Sequence, residues 1–311
     1  KEAGSYNNSN STVPLRLPQS VHTIGKGAFQ GFKNCNELRL PDLYRIEEST
    51  FQSCDFINIT LPSVLTYIGN SAFENCSKWN NTLRLPNNLT YIGRNAFKGC
   101  KELKGTCTDS SSSDVCNNVE IPDSVVQCGW FNVNSGGASS ANQTTDGIFS
   151  GCTQLTGTLT LPTLVNSQQE LGMGHWAFAN SLFTIVDGKS KLTHISQGAF
   201  YNCTNLQQII GIDQVDRVDD AMFQNCVALE NIIWPGNIND DTPDNSVHIM
   251  DDQEQIIDNK QYKAHKWRKT IPFKAFAGCK VLKSITSDTD QEFNIPAWVT
   301  EIHESAFSQC W

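Results

Sequence analysis

A short pattern of apolar and polar positions returns along this chain about every 22 residues. In its clearest copy, Ile92-Gly93 is followed by two variable residues, then by Ala96-Phe97, and after two more variable residues by Cys100. Successive phenylalanines of the pattern are 22, 22, 24, 52, 29, 22, 23, 53 and 31 residues apart, so several copies carry insertions. Ten phenylalanines fill the position: Phe29, Phe51, Phe73, Phe97, Phe149, Phe178, Phe200, Phe223, Phe276 and Phe307. A recurring phrase of this length indicates a repeat architecture.

A second phrase, which alternates apolar and polar residues and ends in proline, precedes most of these phenylalanines. The alternation predicts a half-buried strand, and proline ends the strand because it cannot donate to a ladder. A single unit cannot bury its own Leu, Ile, Ala and Phe side chains, so the copies are expected to stack. Stacking predicts one buried column of phenylalanines and a second column of cysteines. Copies of the phrase lie at residues 15–18, 38–41, 83–86, 159–162 and 294–296.

The combination of Leu-x-Leu-Pro with Ile-Gly-x-x-Ala-Phe-x-x-Cys-x-x-Leu resembles the BspA-like leucine-rich repeats of bacterial and protist surface proteins. The period falls within the roughly 20–29 residues of leucine-rich repeats. We therefore predict a leucine-rich-repeat solenoid, a right-handed superhelix of about ten coils, mostly β with short strands and turns. The chain departs from the pattern at Ser181, where Cys is expected, and in long insertions after Cys100 and Cys226. The resemblance implies a secreted or surface-attached binding protein and brings no catalytic motif with it.

The predicted organisation is one continuous repeat domain. Residues 1–11 are polar and lack periodicity, so they are interpreted as a linker, and residues 12–311 as the solenoid. Insertions are expected at about 101–118, 130–146 and 237–271, because these stretches interrupt the period with Ser, Thr, Gly, Asn and charged residues.

Composition and charge limit the partners. The formal net charge is −9 and the pI is near 5.1, which argues against nucleic-acid binding because phosphate backbones need a basic face. No apolar run is nearly as long as a membrane-spanning helix, which needs about 20 residues. Charged residues make up only 18 % of the chain, which suits an extracellular or cell-surface location. We expect the export signal or anchor to lie outside this chain, which opens on Lys1.

The chain has twelve cysteines, and nine of them lie at or close to the repeat slot. Buried free cysteine packs as a small hydrophobe, so the slot cysteines are predicted to be buried thiols. Cys107 and Cys116 bracket a polar loop and are the candidate disulfide pair, with Cys128 left unpaired. No Cys-x-x-Cys or neighbouring His pair indicates zinc, and no other metal site or cofactor is predicted.

The insertions carry candidate contact residues, each with two interpretations. Trp130 and Phe131 either cover the core or form a ligand-facing pair. Residues 213–258 hold twelve acidic side chains and one basic one, whereas residues 260–274 hold six basic side chains and no acid. This asymmetry indicates either a solvated loop or a lobe that presents anchor residues to a partner, and the anchors would then be Tyr262, His265, Trp267 and Arg268.

No sequence motif indicates an enzyme: hydrolase elbow, zinc-protease and phosphate-loop signatures are all missing from the sequence. In solenoids the outward side chains of the strands form a long wall that faces a partner. The predicted ligand is a protein, such as a host matrix protein or another surface protein. A polysaccharide ligand and a purely structural spacer remain alternatives. The outward strand positions predicted to contact the ligand are Arg39, Asn58, Arg84, Glu120 and Thr160.

Overall fold

A computed structural model describes residues 14–33, 35–106, 117–128, 147–162, 172–173, 175–189, 194–212, 215, 217–232, 255–257, 260–262, 265–266, 270–285, 293–297 and 299–310. These residues contain short strands and turns and no α-helix. The strands, in chain order, are β1 (Leu15–Arg16), β2 (Glu37–Arg39), β3 (Arg45–Ile46), β4 (Asn58–Thr60), β5 (Tyr67–Ile68), β6 (Tyr91–Ile92), β7 (Val119–Glu120), β8 (Gln127–Cys128), β9 (Thr158–Thr160), β10 (Gly172–Met173), β11 (Ile185–Asp187), β12 (His194–Ile195), β13 (Gln208–Ile210), β14 (Arg217–Val218), β15 (Gln255–Ile257), β16 (Lys260–Tyr262), β17 (His265–Lys266), β18 (Thr270–Ile271) and β19 (Glu301–Ile302).

Strands that carry the alternating phrase form one face of the molecule, which we call the first wall. They pair in parallel in two sheets, ordered β1-β2-β4 and β13-β11-β9-β7. The register places buried residues beside each other, as in Leu38 beside Ile59. Isolated parallel bridges, one between Thr82 and Lys104 and one between Asn231 and Ser284, continue this pairing beyond the named strands. Each coil thus adds one strand to the wall.

Strands that precede the glycine of the repeat form a second wall. Its sheets have the orders β10-β8-β6-β5-β3, β12-β14-β17 and β18-β19. The repeat strands pair in parallel, and isoleucines such as Ile68 and Ile92 are fully buried, whereas Ile302 in the last copy is 49 % exposed. The strand β17 pairs with β14 in antiparallel orientation, and β15 and β16 form an antiparallel pair. These three strands lie in the segment 237–271, where the sequence predicts an insertion.

The third side of each coil is a turn built around Ala-Phe. The Phe73 backbone N–H donates to the Ala96 carbonyl of the next coil at 2.8 Å, and the same bond recurs along the stack. The residues two positions before and two positions after Phe73, Ser71 and Asn75, have φ angles of 53° and 61°. The residue two positions after the phenylalanine has a positive φ in all ten copies: Gly31, Ser53, Asn75, Gly99, Gly151, Asn180, Asn202, Asn225, Gly278 and Gln309.

The glycine of Ile-Gly is required by the close approach of neighbouring coils rather than by a left-handed backbone conformation. Gly69 and Gly93 are not among the residues with positive φ. A Cβ on Gly93 would lie 2.4 Å from the Asn70 backbone nitrogen. Glycine is therefore required there because adjacent coils approach too closely for a side chain.

The core consists of the two predicted columns. Phenylalanine rings stack face to face from Phe29 to Phe149 and again from Phe178 to Phe307, with centroids 5.4–5.8 Å apart. Between the two runs, the Ile148 N–H donates to Ala177 at 2.8 Å and keeps the coils in contact. The slot cysteines are buried free thiols. The predictions of a solenoid, a phenylalanine column and a thiol column are confirmed.

Candidate functional site

The first wall presents two outward rows of side chains on either side of its buried row. In one row Arg16 lies beside Arg39, and Arg39 lies beside Thr60. In the other row Glu37 lies beside Asn58. The predicted contact residues Arg39 and Asn58 therefore share a face but belong to different rows.

The remaining predicted contact residues lie on the same wall. Glu120 and Thr160 are direct cross-strand partners. Arg84 follows Leu83, whose N–H donates to the Lys104 carbonyl at 2.8 Å. Thr160 is half-buried, whereas the other predicted contact residues are exposed. The fold thus brings the five positions to one surface, and their contact with a ligand stays a prediction.

An open depression of about 470 Å³ lies on this wall. The Arg39 Nε donates to the Glu37 carboxylate at 2.7 Å, and more than half of the Arg39 side chain is exposed. Since one edge of the guanidinium faces Glu37, its terminal N–H groups are left to face a partner. The lining residues are Gln19, Glu37, Leu38, Arg39, Leu40, Asp42, Asn58, Thr60, Leu61 and Pro62.

The second wall carries a cation and two aromatic rings that the sequence analysis missed. The Arg45 guanidinium lies 3.7 Å from the centroid of the Tyr67 ring, and the Tyr67 and Tyr91 rings stack at 4.6 Å and 7°. Burial, followed by the nearby Tyr67, raises the pKa of Tyr91 to about 12. The available signal was the residue before isoleucine, which is Arg45, Tyr67 and Tyr91 in three successive copies.

The thiol column has a structural purpose rather than a chemical one. From Cys54 onward, the thiols of the column donate to the phenylalanine carbonyl of the preceding coil, as Cys152 does to Phe97 at 3.0 Å, whereas Cys35 donates to the Glu37 carbonyl at 3.1 Å. Burial raises the pKa of Cys152 and of Cys203 to about 12. Because the thiolate is the nucleophile and metal ligand, thiols with such pKa values are inert at neutral pH.

One carboxyl group is buried beside the long insertion. Asp220 is 6 % exposed, and its Oδ1 accepts a hydrogen bond from the Phe273 N–H at 3.1 Å. Burial raises the pKa of Asp220 to about 6. This hydrogen bond joins the two coils that flank the insertion.

Several predicted residues are not described by the structure, and their roles stay predictions. Tyr262 lies in β16 and His265 in β17, where only the backbone is described. Thr106 and Asn118, which flank the predicted disulfide loop, exchange backbone hydrogen bonds of 2.7 and 3.2 Å. The residues outside the described ranges are Trp130, Phe131, Cys107, Cys116, Trp267 and Arg268.

Metal clusters and membrane-spanning helices are both absent from the described part of the chain. There, no three His, Cys, Asp or Glu side chains are arranged so that they could hold a metal ion. The same residues include no helix with the length and apolar character needed to cross a bilayer.

Comparison with solved structures finds leucine-rich repeat proteins. A leucine-rich repeat protein from Bacteroides ovatus is 20 % identical, covers 96 % of this chain and 76 % of its own, and has a TM-score of 0.45. A leucine-rich repeat protein from T. pallidum is 21 % identical, with coverages of 58 % and 68 % and a TM-score of 0.38. A leucine rich cell surface protein from Faecalibacterium prausnitzii is 22 % identical, with coverages of 93 % and 67 % and a TM-score of 0.42. A comparison with curated proteins finds no match.

The repeat pattern itself identifies the family. The model of the BspA type leucine rich repeat region matches residues 2–119, 138–243 and 259–311, in six copies. Six copies are fewer than the ten coils predicted from the phenylalanines, whereas the repeat class is the same. The matched residues make up most of the chain and include the coils whose phenylalanines and cysteines stack. The chain belongs to the family of BspA-type leucine-rich repeat proteins.

Proposed function

We propose that this chain is a non-catalytic, secreted or cell-surface binding protein that presents its first wall to a protein ligand. The carrying observation is the row of outward polar side chains along the wall, in which Arg16, Arg39 and Thr60 are paired in register and Glu120 is paired with Thr160. Such a row is positioned by the backbone ladder and therefore changes little when a partner binds. The ligand would be a host matrix protein or another surface protein.

The dimensions of the wall suit a protein partner. Neighbouring strands lie about 4.8 Å apart, so ten stacked coils extend the wall to about 43 Å. A stable protein interface needs about 800 Å² on each partner, which a strip of this length provides at a width of about 20 Å. A flat contact of this kind supplies affinity without a deep pocket.

The chemistry of the described residues supports a non-catalytic role. Enzymes need groups whose pKa values match the reaction, in a site that excludes water. The thiols are buried with raised pKa values, and Glu120 on the wall is exposed to solvent. Neither arrangement favours acid–base or nucleophilic chemistry.

A polysaccharide ligand is the rival proposal, and the aromatic side chains are the features that bear on it. Sugars bind to proteins by stacking on open aromatic faces. Of the two stacked tyrosines, Tyr67 has Arg45 over its ring and Tyr91 packed against it. Both faces of the Tyr67 ring are therefore occupied, so this ring offers no open surface to a sugar, whereas Tyr44 is 64 % exposed.

The test compares protein and glycan ligands. Binding of the chain to immobilised fibronectin and fibrinogen is measured beside a glycan array, with the wall variant Arg39→Glu and the control variant Lys280→Glu. Lys280 is exposed near the other end of the chain, and both changes alter the net charge equally. We expect protein binding that Arg39→Glu weakens about tenfold or more, while Lys280→Glu leaves it within about twofold. Glycan hits without protein binding would favour the polysaccharide, and no binding to either would favour a structural spacer.

A further inference from the structure

Two arginines stand directly opposite each other on neighbouring strands of the first wall. Arg16 on β1 and Arg39 on β2 are paired in register. Like charges placed opposite each other across a ladder destabilise a sheet. A bound anion would remove this repulsion, which makes the pair a candidate for recognising negative charge.

The arginines of this row retain unused hydrogen-bond donors. Arg16 and Arg84 have no ion-pair partner among the described residues. Arg39 has Glu37 at its Nε alone. The guanidinium group has five donors in a planar fork that fits a carboxylate, so all three side chains can bind an acidic group.

Charge on the wall is divided between its two parts. The first coils expose Arg16, Arg39, Arg84, Lys104 and Asp42, and Glu37 is half-buried beside Arg39. The following coils carry Glu120, Asp123 and Asp187, with Lys189 bonded to Glu120 at 3.0 Å. A basic strip in a chain with a net charge of −9 orients an anionic partner over the first coils, because the rest of the surface repels it.

We propose that the strip formed by Arg16, Arg39 and Arg84 binds an extended acidic segment of a protein partner. Alternate side chains of an extended peptide lie about 6.7 Å apart on one face. Arg16 and Arg39 are one strand spacing apart, about 4.8 Å, and Arg84 lies further along the same wall. Flexible arginine side chains cover these distances, so successive Glu or Asp residues can each meet a guanidinium group. The depression beside Arg39 leaves room for the peptide backbone. This inference rests on the proposed function and names the chemistry of its ligand.

The test uses a short fluorescein-labelled peptide of alternating Glu and Ser and a matched peptide of alternating Gln and Ser. Affinities are measured by fluorescence anisotropy at low and at physiological ionic strength. The Glu peptide should bind at least about tenfold more tightly than the Gln peptide, since ionised partners form stronger hydrogen bonds. A sulfated heparin oligosaccharide serves as a third probe.

Four variants locate the site. Arg39→Glu should weaken the binding of the Glu peptide about tenfold or more, and Arg84→Gln about threefold to tenfold. Glu37→Gln should strengthen it about twofold to fivefold, because it removes a competing carboxylate from Arg39. Lys280→Glu, with the same charge change as Arg39→Glu, should alter it by less than about twofold. These side chains are exposed except for Glu37, which is half-buried, and unchanged circular dichroism and melting temperature would show that each variant is folded.

Each contrary result has a definite meaning. Equal binding of the Glu and Gln peptides, or equal weakening by Arg39→Glu and Lys280→Glu, overturns the inference, because bulk charge alone would then account for the data. Tighter binding of the heparin oligosaccharide than of the Glu peptide overturns the acidic protein segment in favour of a sulfated glycan. If Arg39→Glu abolishes adhesion to proteins while the Glu peptide does not bind, only this inference fails. If adhesion is unchanged by the wall variants, the proposed function fails with it.

Discussion

Replacing Ser181 with cysteine should stabilise this protein, because Ser181 occupies the position that a buried thiol, Cys152 or Cys203, fills in the neighbouring coils. The Ser181 side chain is 2 % exposed, and its hydroxyl has no hydrogen-bond partner among the described residues. In the next coil, the Cys203 thiol donates to the Phe178 carbonyl at 3.2 Å. The C–S bond is longer than the C–O bond, so a thiol at position 181 extends its donor further toward the preceding coil than the hydroxyl does.

The magnitude follows from two contributions. An unsatisfied buried hydroxyl costs about 1–3 kcal/mol, and a thiol packs as a small hydrophobe that tolerates burial. Sulfur–carbonyl distances in the other coils are 2.9–3.2 Å, so Ser181→Cys should gain a bond of the same kind, to Phe149. The expected increase in the free energy of unfolding is about 1–2 kcal/mol.

Urea denaturation followed by circular dichroism measures this change, with the reciprocal variant Cys203→Ser as the matched control. Cys203→Ser creates the Ser181 situation one coil away and should lower the free energy of unfolding by about 1–2 kcal/mol. Hydrogen exchange at the amides of the two neighbouring coils should change with the same sign, because stability in a solenoid is local. An unchanged or lower urea midpoint for Ser181→Cys, beside a lower midpoint for Cys203→Ser, would refute the argument that the hydroxyl is unsatisfied.

Two further predictions concern backbone spacing and pH. Gly93→Ala should destabilise the protein by about 1–3 kcal/mol, because a Cβ would lie 2.4 Å from the Asn70 nitrogen. The control Gly25→Ala, whose Cβ would have nothing within 4 Å, should be tolerated. Equal melting temperatures for the two variants would contradict this prediction. Asp220 has a folded pKa of about 6 against an ordinary 3.8, so the folded state binds the proton of this carboxyl more tightly than the unfolded state does. The contribution of this proton to stability is complete below pH 3.8 and is lost as the pH rises through 6. Asp220→Asn, which keeps an acceptor for the Phe273 N–H, should therefore stabilise the protein at pH 7.5 by at most about 3 kcal/mol and not at pH 3.5. A larger gain at pH 3.5 in urea denaturation would count against it.

The candidate surface could be predicted in outline but not in register. Alternation in the sequence placed Arg39, Arg84 and Glu120 on one wall, because outward positions of successive strands line one face. It did not show that Arg39 faces Arg16 while Asn58 occupies the other row. The pairing depends on where each strand starts relative to its neighbour, and copies of unequal length hide that offset.

What the sequence by itself determined is the stack. Each copy repeats the same apolar, Phe and Cys positions, and no single copy can bury them, so the columns of rings and thiols follow from the period alone. Only the tertiary structure decided how the backbone accommodates this stacking. It placed residues as different as Ser71, Trp176 and Lys274 in the left-handed conformation, because the turn must bring each Phe N–H to the next coil's carbonyl. It also brought Tyr67 against Tyr91, since contacts between coils depend on neighbours that are distant in sequence.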